Sequence, residues 1–128
     1  MKSRDTLIRL KRFQAEEKRR RVVQIETMIA EFSRMATDLD REIAAEEQRS
    51  GVADPAHFAY STYARAARTR RDNLQQSVED LRTQLEEAKA RHEEAAEELS
   101  KVQSMDVRDK AVDVVRERAE APLRAARV

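Results

Sequence analysis

The stretch VVQIETMIAEFSRMATDLDREI, residues 22–43, decides the fold of this chain. Within it Val22, Ile25, Ile29, Phe32, Ala36, Leu39 and Ile43 recur at alternating steps of three and four residues. That step averages 3.5 residues and keeps one narrow stripe of a helix turned towards a partner helix, so the stretch reads as a coiled-coil seam. A second ladder of the same step follows: Leu74, Val78, Leu81, Leu85, Ala88, His92, Ala95, Leu99 and Val102. The single glycine, Gly51, and Pro55 stand between the two ladders. The expected fold is therefore all-α, a long antiparallel two-helix coiled-coil hairpin.

Working outward, the first helix is expected over about residues 4–49, with Ser3 or Asp5 offering a side-chain oxygen to the free N–H groups of its first turn. At a rise of ~1.5 Å per residue it makes a rod of about 65 Å. Its register extends back through Lys18, Ala15, Lys11 and Ile8, so lysines interrupt the early seam. A turn is expected at 50–54, where Gly51 can close the first helix. Asp54 can cap the next, and Pro55 suits a first helical position, where its missing N–H is not needed. The second helix is expected over about residues 55–120, beginning near Pro55 or Ala56, with a frayed terminus at 121–128 after Pro122. Its seam runs through Tyr60, Ala64, Ala67 and Arg71 to Val102, after which Met105, Val112, Val115 and Ala119 follow a displaced stripe. The whole of 1–128 reads as one hairpin domain.

In antiparallel packing, facing seam residues have numbers that add to a constant, and two constants satisfy these ladders. A value of 103 sets Ile43 against Tyr60 and Ile25 against Val78. A value of 110 sets Ile43 against Ala67, Phe32 against Val78 and Ile29 against Leu81. A short loop favours the first; charge favours the second, which brings Asp38, Asp40 and Glu42 near Arg65, Arg68, Arg70 and Arg71. In both, the second helix outruns the first, so residues beyond about Val102 are expected to lack a partner within the chain.

Charged residues make up 40% of the 128 and aromatics 4%, too little apolar bulk for a layered core, while the net charge of +1 suits long helices laced with ion pairs. No cysteine is present, which removes disulfides and thiolate chemistry. No apolar run reaches the roughly 18 residues of a membrane span, and the start lacks the apolar stretch of a secretory signal. The two histidines, His57 and His92, lie far apart, and His92-Glu93-Glu94 lacks the second histidine of a zinc-protease helix. No metal, cofactor or catalytic residue is expected, and the chain reads as a non-enzyme. The basic run Lys18-Arg19-Arg20-Arg21 answers acidic territory on the second helix that includes Glu86, Glu87, Glu93 and Glu94. Asp5, Glu16 and Glu17 interrupt the basic segment, so nucleic acid is not an expected partner. Leu7, Leu10 and Phe13 lie off the seam, as does Tyr63, and all four are candidate contacts for a partner.

The opening Thr6-Leu7-Ile8-Arg9-Leu10-Lys11-Arg12-Phe13, the charged helix after it, the turn and the long returning helix together resemble the flagellar export protein family FliJ, in its shorter alphaproteobacterial form. The resemblance implies a cytoplasmic stalk or adaptor of the flagellar type III protein export apparatus, peripherally associated with that apparatus at the inner membrane and serving motility. It implies as partners the hexameric export ATPase, the export gate membrane protein and export chaperones, without insertion into the membrane. Mapped onto this chain, Leu7, Ile8, Arg9, Leu10, Lys11, Arg12 and Phe13, with the segment after Val102, would meet the ATPase. Phe58, Tyr60 and Tyr63 at the turn would point to the gate. The alternative from the residues alone is a structural or adaptor coiled coil of another cytoplasmic assembly.

Overall fold

The computed structural model describes residues 2–126 as two long helices, α1 (Lys2–Ser50) and α2 (Thr62–Ala126), packed against each other as an all-α helical hairpin. Every residue of both ladders is buried or half-buried, which places the seam where the three-four step put it. By contacts the chain divides into two compact units, one of Arg20–Lys89 and one of Met1–Arg19 with Ala90–Val128.

The Arg20–Lys89 unit contains the loop and most of the apolar core. Ile25, Leu81 and Ala88 form one cluster, flanked by Val22, Ile29, Phe32 and Leu85. Leu39, Ile43 and Ala67 form another, with Leu74 against them. Ala88 in company with Ile25, and Leu74 with Leu39, are incompatible with a facing constant of 103. A shift of seven residues along a helix is about 10 Å. The constant is therefore near 110, the one of the two open alternatives that charge favoured and loop length did not. Arg71, on the seam itself, donates to Asp40 of α1 at 2.9 Å and to Asp72 at 2.9 Å. Those two carboxylates raise the guanidinium pKa further above its ordinary value, through the hydrogen bond to Asp40 first.

Gly51 ends α1 in the left-handed conformation, at φ 75°, and its N–H reaches the Glu47 carbonyl at 3.0 Å. A Cβ at this position would meet no atom within 4 Å, so backbone strain alone opposes a larger residue. Gly51→Ala is expected to destabilise the hairpin by ~1–2 kcal/mol, read as a lower midpoint of urea unfolding; an unchanged midpoint would count against the left-handed closure.

Three boundaries differ from the expected ones. Helix α2 starts at Thr62 rather than near Pro55, because the residues after Asp54 satisfy their polar groups as turns. The Asp54 carboxylate accepts the Ala56 N–H at 2.9 Å, and the His57 N–H reaches the Asp54 carbonyl at 3.0 Å. His57 Nδ1 then takes the Ala59 N–H at 3.0 Å, withdrawing it from any helical ladder. Ser61 is the cap: its hydroxyl accepts the Ala64 N–H at 3.2 Å and donates to Glu46 of α1 at 2.9 Å. At the other end of the chain, Ser3 and Asp5 lie inside α1, which already includes Lys2. Asp5 sits in the first turn, where a carboxylate faces the positive end of the helix dipole. Finally, α2 continues through Pro122 to Ala126, losing one ladder bond rather than ending. The expected fraying covered 121–128, of which Arg127 and Val128 lie outside the described residues.

In the unit of Met1–Arg19 and Ala90–Val128, helix pairing reaches further than Val102. Ala15 and Val102 are buried, Lys11 Nζ lies 2.9 Å from a Glu98 carboxylate oxygen, and Asp106 is buried as well. Arg4 pairs with Asp109. Pairing between the helices of this unit thus extends to Asp109 rather than stopping at Val102. Every residue from Val107 to Glu120 is exposed.

Candidate interaction surfaces

The residues Leu7 to Phe13 lie on α1 in the unit that holds both chain-terminal stretches. Leu7, Leu10 and Phe13 are exposed, and so are Arg9 and Arg12. Ile8 and Lys11 are half-buried because they fall on the seam. Lys11 holds the Glu98 carboxyl below its ordinary pKa, chiefly through their hydrogen bond. Phe13 borders a groove shared with Glu17, Lys18, Arg91 and Glu94, so its ring stands among charges of both signs. The stretch thus splits: Leu7, Leu10 and Phe13 present apolar surface, while Ile8 and Lys11 belong to the hairpin.

The turn residues split in the same way. Phe58 is 94% exposed and stacks on His57 with ring centroids 4.7 Å apart. Tyr63 is 56% exposed, and its hydroxyl donates to Glu42 of α1 at 3.1 Å. Tyr60 is 5% exposed and so offers no surface to a partner, contrary to its place among the candidate contacts. Its seam position turns the ring inward beneath Arg65, whose guanidinium carbon is 5.5 Å from the ring centroid. The Tyr60 hydroxyl is buried without a hydrogen-bond partner.

Glu42 raises the Tyr63 pKa, through the hydrogen bond first and its charge second. The bond is intact below the ordinary tyrosine value of about 10 and is lost as pH rises through the raised folded value. Glu42→Gln is expected to lower the pH at which one of the two tyrosines ionises, followed by tyrosinate absorbance. An unaltered titration would place Tyr63 away from Glu42.

Several residues that shape these surfaces carried no signal of their own in the sequence. Ser61 with Glu46, and Arg4 with Asp109, are ordinary polar residues until the facing constant is known. Glu46 is drawn below its ordinary pKa by Arg49 first and Ser61 second. Val107 and Val114 join Met105, Val112 and Val115 among the exposed apolar residues of α2, and only the stripe through Met105, Val112 and Val115 was visible as a ladder.

His57 sits in the loop and His92 half-buried on α2. Among the described residues, no group of three histidines, cysteines or carboxylates is placed to hold a metal ion. Nor is any described helix long and apolar enough to cross a membrane. No protein-family model, curated protein or solved structure matches the chain.

Proposed function

We propose that the chain is a non-enzymatic stalk of the flagellar type III export apparatus, acting in the cytoplasm between the hexameric export ATPase and the export gate and assisting export chaperones. The observation that carries this reading is a helical hairpin whose α2 continues beyond the start of α1, with Val107–Glu120 exposed and Leu7, Leu10 and Phe13 exposed in the same unit. The FliJ-like opening Thr6–Phe13 supports the assignment to export.

A single asymmetric hairpin inside a six-fold ring touches its subunits unequally. Subunits bound more tightly in one nucleotide state are biased towards that state, so the stalk couples ring assembly and hydrolysis without chemistry of its own. Phe58 and Tyr63 are the residues assigned to the gate. The test is the hydrolysis rate of a purified export ATPase with and without the chain. The expected result is a several-fold rise together with a complex on size-exclusion chromatography. An unchanged rate with no complex overturns the proposal.

A further inference from the structure

Past Val102, α2 carries two unlike halves. Successive residues of a helix turn by about 100°. Asp106, Asp109, Asp113, Glu117 and Glu120 consequently fall on one half, together with Lys110 and Arg116. The first turn of this half faces α1 within its unit, since Asp106 is buried and Asp109 pairs with Arg4. Lys110 stays with it, 3.0 Å from Asp106. Val107, Ala111, Val112, Val114, Val115 and Ala119 fall on the other half. Val107 is 67% exposed and Val115 65%. Two arginines, Arg108 and Arg118, share this apolar half, and no carboxylate between 106 and 120 does.

The placement of charge decides what fits there. A second copy applied face to face would set Arg108 and Arg118 of one chain near those of the other with no carboxylate between them. An anionic lipid surface attracts helices whose polar half is basic, whereas this polar half carries five carboxylates against two cations. More of α1 does not fit either, because α1 meets the acidic half. What complements valines interspersed with arginines, on a face without carboxylates, is an apolar stripe accompanied by carboxylates, laid along them as a second helix.

We infer that residues 107–119 of α2 form a docking face for an amphipathic helix of another protein, with an aliphatic stripe seated on Val107, Val114 and Val115 and flanking carboxylates paired to Arg108 and Arg118. The inference rests on the reading of this unit as partner-binding, and it holds whether or not that partner is an export ATPase.

Two labelled synthetic helices test it against the full chain by fluorescence anisotropy: one with leucines along a heptad stripe and glutamates beside it, the other with lysines in place of the glutamates. The acidic peptide is expected to bind, and the basic one at least tenfold more weakly. Val115→Asp, exposed and so harmless to the fold by circular dichroism, is expected to weaken acidic-peptide binding at least tenfold. Arg108→Glu with Arg118→Glu is expected to reverse the preference between peptides. Equal binding of both peptides, binding of neither, or affinity unmoved by Val115→Asp overturns the inference. So does a concentration-dependent dimer, or binding to anionic phosphatidylserine vesicles, that Val115→Asp abolishes. A chain that binds the acidic peptide yet leaves an export ATPase unchanged overturns the export reading alone.

Discussion

Ile25→Ala is expected to destabilise the hairpin by ~2–4 kcal/mol, the range for removing most of a buried branched side chain and leaving a cavity behind. Ile25 is 1% exposed and is the largest fully buried side chain among the described residues, in the cluster with Leu81 and Ala88. A two-layer coil has few such residues, and total stability for a domain is only ~5–15 kcal/mol, so this one substitution removes a large share. The loss is read from urea unfolding followed by helical circular dichroism. Val23→Ala, two positions away and exposed, is the matched control, with an expected change within ~0.5 kcal/mol. Equal effects of the two substitutions would sink the assignment of Ile25 to the seam.

Ala64→Leu is expected to cost ~1–3 kcal/mol for the opposite reason, overpacking. Ala64 is 0% exposed, and Ala67 and Tyr60 beside it on the seam are also buried. Small residues at 64 and 67 let α2 lie close to α1 next to the loop, and a leucine has to push the helices apart there. Ala66→Leu, on the exposed side of the same turn, is expected to be neutral or slightly stabilising, because leucine and alanine are both good helix formers. Thermal unfolding of the pair separates packing from propensity. A stabilising Ala64→Leu would mean that the helices are loosely apposed.

The helices were legible because a three-four ladder can serve only as a helix seam, and Ile25, Leu39, Ile43, Val78, Leu81 and Ala88 are buried where it put them. Register was not legible from apolar residues. A heptad pattern slid by seven still sets aliphatic against aliphatic, so both constants looked alike to Ile29 or Val78. What separates them is polar: Arg71 reaching Asp40, and a loop through residues 51–61 longer than the tight turn expected at Gly51. The start of α2 was misplaced because Asp54-Pro55 is equally good chemistry for a turn and for a helix start. The turn bonds of Asp54 and His57, and the Ser61 bond to Glu46 made across the hairpin, favour the later cap. Tyr60 counted as a candidate contact by being aromatic near the turn, while its seam position already implied burial. The reach of pairing beyond Val102 depended on that same register, so the true beginning of the exposed valines could be placed only once it was fixed.

The polar bonds between the helices differ greatly in how much chain they close. The Ser61 bond to Glu46 joins residues 15 apart, whereas Arg4 and Asp109 are 105 apart. Closing the longer loop from an open chain costs ~1.7 kcal/mol more, at roughly 0.6 kcal/mol per doubling of length. Once the contacts beside the loop exist, each further layer lengthens a hairpin that is already closed and carries no fresh closure cost. On closure entropy alone, contacts beside the loop at residues 51–61 are therefore the least costly to form first, and the Arg4–Asp109 pair costs less once they exist.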